Sequence, residues 1–162
     1  MMKELPNSKE QTNQFEISEG NIDQLEQIVL TNYEIFKGMY EQDPFSLEHY
    51  QKKLKDFEPK IFIAKIDGQI VGDSISFDRD GSLYIWIMGV LKEYRNKGIA
   101  TKIFENNEQF ARANEYKSVS VKVYNVSREM LMVLLARGYQ ITNVEQSETD
   151  TKYNAVHLEL KI

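Results

Sequence analysis

Between Lys60 and Val90 the chain carries three β-rich runs separated by two Asp-Gly steps, and no other feature restricts its fold as much. "KIFIAKI" and "QIVGDSISF" flank Asp67-Gly68, and "LYIWIMGV" follows the turn "DRDGS". An Asp-Gly link suits a type I′ turn, since both central residues need positive φ and the turn's twist matches that of paired strands. Residues 60–90 therefore predict an antiparallel meander. Its last run, Leu83–Val90, is too bulky and apolar for an edge and belongs at the sheet centre. Gly89 within it predicts a bulge or a close backbone approach.

After Val90 the period changes. Ile99, Ala100, Ile103, Phe104, Phe110 and Ala111 recur on one helical face. "SVSVKVY" (118–124) reads as a strand, and "SREMLMVLLARGY" as a helix capped by Ser127 and stopped by Gly138. "YNAVHLELKI" alternates as a closing strand. Upstream, "FEIS" (15–18) predicts a short strand. Asn21 with Gln24 caps one helix, and Ser46 starts another whose inner face is Leu47, Tyr50, Leu54 and Phe57. Alternating strands and helices beyond residue 83 need at least one parallel crossover. The sheet is mixed, the class is α/β, and residues 15–162 form one domain behind a polar, frayed segment over 1–14.

Composition narrows the chemistry. A net charge of −5 and a pI near 5.2 argue against nucleic acid as a partner, which needs a broad basic face. Without cysteine there is no disulfide and no thiolate zinc site, and His49 and His157 lie far apart, so no metal is expected. No apolar run approaches the roughly 20 residues of a membrane span. The expectation is a cytoplasmic protein without membrane contact.

One segment runs against the overall charge. Lys92, Arg95, Lys97 and Lys102 surround Gly98 with only Glu93 to oppose them. Here a strand hands over to a helix, whose first amides lack internal partners and carry about +0.5 of positive charge. An anion such as phosphate suits that end, and a glycine lets it approach the backbone. An ordinary helix start with solvated lysines has the same residues, so both readings stand at this point.

The motif "RNKGIA" at 95–100 resembles the R/Q-x-x-G-x-G/A signature of the GNAT superfamily of N-acetyltransferases. The likeness extends to the apolar strand before it, "LKEYR" in place of V-x-P-x-x-R, the strand 118–124, the polar "YNVS" and the helix ending "RGY". It implies a mostly antiparallel sheet of about six or seven strands splayed at the centre and flanked by about four helices. It also implies acetyl-CoA as cosubstrate. The backbone of Met88, Gly89 and Val90 would pair with the pantetheine arm, the Val90 amide would face the thioester oxygen, and Asn125 would serve the pantetheine or a water. The amides of Arg95, Asn96, Lys97, Gly98, Ile99 and Ala100, with Thr101 nearby, would hold the pyrophosphate.

The family's usual acid, a tyrosine on the last helix, falls on Leu134, which cannot donate a proton. Tyr124 is the nearest substitute. The glutamate that serves some relatives as base falls on Tyr84, which alternates with Trp86 and Met88 on one expected face. The implied activity is acetyl transfer to a primary amine by direct attack, with a small-molecule acceptor. A peptide acceptor and a non-catalytic acyl-CoA sensor are the alternatives, and a homodimer is left open. Acidic stretches at 31–45 (Glu34, Glu41, Asp43) and 143–151 (Glu145, Glu148, Asp150) suggest a cationic acceptor, and Tyr33, Phe36, Tyr40 and Phe45 suggest an aromatic pocket wall.

Overall fold

The computed structural model describes residues 14–40 and 45–162. The frayed segment expected over 1–14 falls almost wholly outside them, as do Glu41 and Asp43. A seven-stranded sheet runs in the order β1-β2-β3-β4-β5-β7-β6. Its strands are β1 (Glu16–Gly20), β2 (Lys60–Ile66), β3 (Gln69–Arg79), β4 (Ser82–Val90), β5 (Ser118–Tyr124), β6 (Gln140–Glu145) and β7 (Ala155–Lys161). Only β4 and β5 pair in parallel. The helices are α1 (Leu25–Phe36), α2 (Leu47–Leu54), α3 (Ile99–Ala113) and α4 (Arg128–Ala136). None of the described helices is long and apolar enough to cross a membrane.

Local codes explain most boundaries. Asp67 and Gly68 take φ of 50° and 78°, and Asp80 and Gly81 take 54° and 86°, so both Asp-Gly steps adopt the left-handed pair a tight hairpin needs. Asn21 Oδ1 accepts from the Asp23 amide at 2.9 Å while the Asn21 amide donates to Gln24 Oε1 at 3.1 Å, closing a capping box before α1. Ser46 Oγ accepts from the His49 amide at 3.1 Å and starts α2. Ser127, by contrast, stands at the start of α4 without a side-chain cap. Gly138, at φ 92°, ends that helix as expected.

Each sheet face carries its own core. Leu83, Ile85, Ile103, Phe104 and Leu134 pack on the α3 side, and Ile28, Tyr50, Ile75, Phe77 and Tyr84 on the α1–α2 side. Burying each such side chain contributes about 1.5–3 kcal/mol. The "RGY" segment serves this packing. Arg137 Nε and the Tyr139 hydroxyl each donate to Glu108 on α3 at 3.1 Å, fastening the end of α4 to α3.

Candidate active site

The site follows from where strand pairing stops. β4 and β5 run side by side only from Ser82 opposite Ser118 to Ile85 opposite Val121. Beyond that, β5 continues with β7 and β4 with β3, so the two strands part and leave a gap at the sheet centre. On β4, Val90 lies opposite Gly72 and the Leu91 amide donates to Val71 O at 2.8 Å. In an antiparallel ladder this makes Val90–Gly72 a pair without mutual hydrogen bonds. The N–H and C=O groups of Val90, and of Met88 two residues earlier, therefore point away from β3 into the gap.

β4 also carries a bulge, though not at Gly89. Ser76 lies opposite Ile85 and Ile75 opposite Ile87, which leaves Trp86 as the extra residue. An added residue breaks the alternation of faces. Tyr84, Trp86 and Ile87 turn toward the α1–α2 side, whereas Met88 and Val90 pack with the α3 side. The shared face expected for Tyr84, Trp86 and Met88 is thus corrected: Met88 is on the opposite side. Gly89 instead meets the close-approach expectation. A Cβ there would sit 2.6 Å from Ile35 Cγ2 and 2.9 Å from Phe36 Cζ.

The loop between β4 and α3 curls over the end of the gap. A short 3-10 turn, Lys92–Tyr94, leads to Arg95, whose Nε donates to Val90 O at 3.0 Å. Asn96 and Gly98 then take φ of 62° and 82°, two left-handed residues with Lys97 between them, an arrangement that gathers successive amides into a concave nest. The first amide of α3 to find an acceptor is that of Lys102, which donates to Gly98 O at 3.1 Å. The amides from Asn96 through Thr101 make no hydrogen bond to any described residue. A Cβ on Gly98 would meet nothing within 4 Å, so the space above the nest is open. The Lys97 ammonium stands 5.4 Å above the Tyr94 ring beside it.

A cleft of about 270 Å³ opens on the α1–α2 face. Tyr84 and Tyr124, the two tyrosines expected to carry proton transfer, both line it. The Arg79 guanidinium lies 3.9 Å over the Tyr84 ring, and Tyr124 meets Tyr40 edge-on at 5.4 Å. Burial, and secondarily the neighbouring Tyr124, pushes the Tyr40 hydroxyl up to about 12, so it stays protonated. Tyr40 and Phe45 wall the cleft as expected, Phe36 supports Phe45 by stacking at 5.4 Å, and Tyr33 is 43% exposed and takes no part.

Leu134 is fully buried in the α3-side core and holds no functional group. Asn125 is tied to the following turn, its amide donating to Asn154 O at 2.8 Å and its Nδ2 to Thr151 O at 3.3 Å. No carboxylate of the acidic stretch lines the cleft: Asp150 Oδ1 caps the Lys152 amide, and Glu145 approaches only the cleft-wall residue His157, at 3.2 Å without hydrogen-bond alignment.

Sequence reasoning missed a buried polar cluster between β3 and the helices α1 and α2. Asp73, opposite Gly89, is fully buried, and Asn32 Nδ2 donates to its Oδ1 and to the Tyr50 hydroxyl, both at 3.1 Å. Asp73 Oδ2 and Asn32 Oδ1 find no partner among the described residues. Burial pushes the Asp73 carboxyl up to about 8 against the opposing Asn32 bond. At neutral pH it is mostly protonated, which removes the charge and turns a lone acceptor into a donor. The one available signal was the polar "GDS" interrupting an apolar strand.

Comparison with known proteins bears on this arrangement. The model of the acetyltransferase (GNAT) family matches residues 22–131, most of the chain, including the loop and the parting strands. The chain belongs to the acetyltransferase (GNAT) family. Among curated proteins, "Probable N-acetyltransferase camello" of Xenopus tropicalis is 29% identical over 87 residues, 52% of this chain. The chain spans only 40% of that relative's length. The ribosomal-protein-S18-alanine N-acetyltransferase of Escherichia coli has the same GNAT fold at a TM-score of 0.77 and 12% identity, over 92% of this chain and 94% of that one. PaiA N-acetyltransferase of Thermoplasma acidophilum, solved with coenzyme A, aligns at 0.71 and 14% identity over 92% and 99%. These likenesses concern the fold. It is the mixed, mostly antiparallel sheet with four helices that the sequence led us to expect.

Proposed function

We propose that the protein transfers an acetyl group from acetyl-CoA to a primary amine of a small molecule in the cytoplasm. The observation that carries this is the run of amides from Asn96 to Thr101 without acceptors among the described residues, beside the β4 edge at Met88 and the Val90 N–H that β3 leaves unpaired. A diphosphate fits the nest: it gains several N–H donors and the positive end of α3, with no side chain to displace above Gly98. A peptide-like pantetheine fits the open edge by adding to the ladder.

Acetyl-CoA supplies the activated acyl carbon. The chain's contribution is placement and charge. The Val90 N–H, aimed into the gap, would hold the oxygen on which negative charge develops, an effect of about 3 kcal/mol for one donor. Tyr84 would order a water that receives the amine's proton, and Tyr124 would return a proton to the departing sulfur. Juxtaposing the amine with an already reactive thioester supplies much of the remaining acceleration. A cleft of about 270 Å³ with aromatic walls favours a small acceptor over a peptide.

The buried Leu134 favours a second reading, an acyl-CoA sensor without turnover. One experiment separates the two. The purified protein is titrated calorimetrically with coenzyme A, then incubated with acetyl-CoA and a panel of amines and peptides while free thiol is followed. Binding with thiol release from small amines supports the enzyme. Binding without release from any acceptor favours the sensor, release with peptides alone reverses the acceptor preference, and absence of binding removes both readings.

A further inference from the structure

The cleft has a charge that the sequence did not suggest. Arg79 at the end of β3, Lys53 on α2 and Lys122 on β5 all line it, with His49 and His157 beside them. No Asp or Glu lines it among the described residues, and none of the three cations takes part in an ion pair there. This happens in a chain whose net charge is −5. Three like charges converging from separate elements on an aromatic-walled hollow repel one another, and such walls focus their field into the opening. An anion in the opening would relieve the repulsion.

Two of the cations also rest on aromatic rings of the cleft. Arg79 is stacked on Tyr84 with its guanidinium carbon 3.9 Å from the ring centre, and the Lys122 ammonium stands 5.6 Å above the Tyr124 ring. Stacking through its face leaves the N–H edge of the guanidinium available for two-pronged recognition of a carboxylate or phosphate. Asp78, the nearest acid in sequence, accepts from the Gly81 amide within its own turn.

We infer that the acceptor is an amine that also carries an anionic group, a carboxylate or a phosphate, received by Arg79, Lys53 and Lys122. The inference rests on the acetyl-transfer reading and names its substrate class. It reverses the cationic acceptor suggested by the acidic loops, because none of their described carboxylates lines the cleft and Glu145 approaches only His157 on its wall, at 3.2 Å. The amine end of such a molecule would face the gap and its anionic end the outer, cationic rim.

Trp86 makes a direct test available. It lines the cleft and is the chain's only tryptophan, so its fluorescence reports occupancy without any need for turnover. The full chain, saturated with coenzyme A, is titrated with phenylalanine against phenylalaninamide and with glucosamine 6-phosphate against glucosamine. In at least one pair, the anionic member should bind roughly tenfold or more tightly than its partner, and added salt should shrink the difference. The pair that responds tells carboxylate from phosphate. Arg79→Gln and Lys122→Gln should each erode the preference while coenzyme A affinity stays unchanged, which also shows the variants are folded. The inference is overturned by equal binding within both pairs, by preference for the members lacking the anion, by no response to either anionic probe, or by a preference that survives both substitutions. Failure of coenzyme A itself to bind is a separate result, and it removes the acetyl-transfer reading on which this one stands.

Discussion

Arg95 Nε donates to the carbonyl oxygen of Val90 at 3.0 Å, so the first residue of the signature loop is bonded to the last residue of the strand that precedes it. That bond sets where the nest lies relative to the open edge of β4. It assigns Arg95 a positioning role, since its Nε is committed to the backbone. Arg95→Lys keeps the charge but loses the rigid planar donor, so coenzyme A affinity should fall about tenfold, or roughly 1.4 kcal/mol. Calorimetry showing full affinity in the lysine variant would mean that charge alone matters at this position.

Gly98→Asp separates ligand binding from folding. A side chain at Gly98 enters open space, so no steric clash arises in the free protein. Its φ of 82° adds a backbone cost of about 1–2 kcal/mol for any other L residue. The carboxylate would occupy the place proposed for the pyrophosphate and repel it. Coenzyme A binding should weaken at least a hundredfold, on the order of 3 kcal/mol, in a protein that still melts cooperatively. Unaltered affinity would dismiss the loop as the diphosphate site.

Gly89→Ala acts on packing instead. Its Cβ would lie 2.6 Å from Cγ2 of the buried Ile35 and 2.9 Å from the ring tip of the half-buried Phe36, so both side chains must shift. Urea denaturation should show a loss of about 1–3 kcal/mol. Phe36 stacks on Phe45, a wall of the cleft, so Trp86 fluorescence should change as well.

Tyr124→Phe should lower kcat on the order of a hundredfold with coenzyme A affinity unchanged, as expected on losing a general acid. Tyr84→Phe should lower kcat less, because a water ordered by other groups can still take the proton. Equal kcat for wild type and Tyr124→Phe would return Tyr124 to a packing role against Tyr40.

Asp73 predicts a pH dependence of stability. Its carboxyl is raised in the folded state from 3.8 to about 8, first by burial. The native chain keeps a proton that the unfolded chain releases between those values. The stability linked to this group is therefore complete below about pH 4, declines up to about pH 8 and is flat above, by up to about 1.4 kcal/mol per pH unit. Asp73→Asn should remove that decline and be relatively more stable at pH 8 than at pH 4. Parallel urea midpoints for wild type and variant across this range would contradict a buried, protonated Asp73.

Features that depend on neighbouring residues can be read along the chain. Two Asp-Gly steps dictate the hairpins, the switch from period 2 to period 3.6 after Val90 dictates a strand handing over to a helix, and Gly98 leaves the backbone open to a ligand at that junction. Those signals act within a few residues of one another, so they are legible without a fold, and with them came the loop of unpartnered amides. Other features arise only when distant segments pack together. The bulge at Trp86, which sends Met88 to the far face, is a slip in the β3–β4 register between Ile75 and Ser76, and it exists only once the two strands are paired. The protonated Asp73 needs α1 laid across it. Arg79, Lys53 and Lys122 are scattered over some seventy residues of sequence, and no local pattern brings them to one cleft. Sheet order and helix packing do, because electrostatic fields act through space and not along the chain.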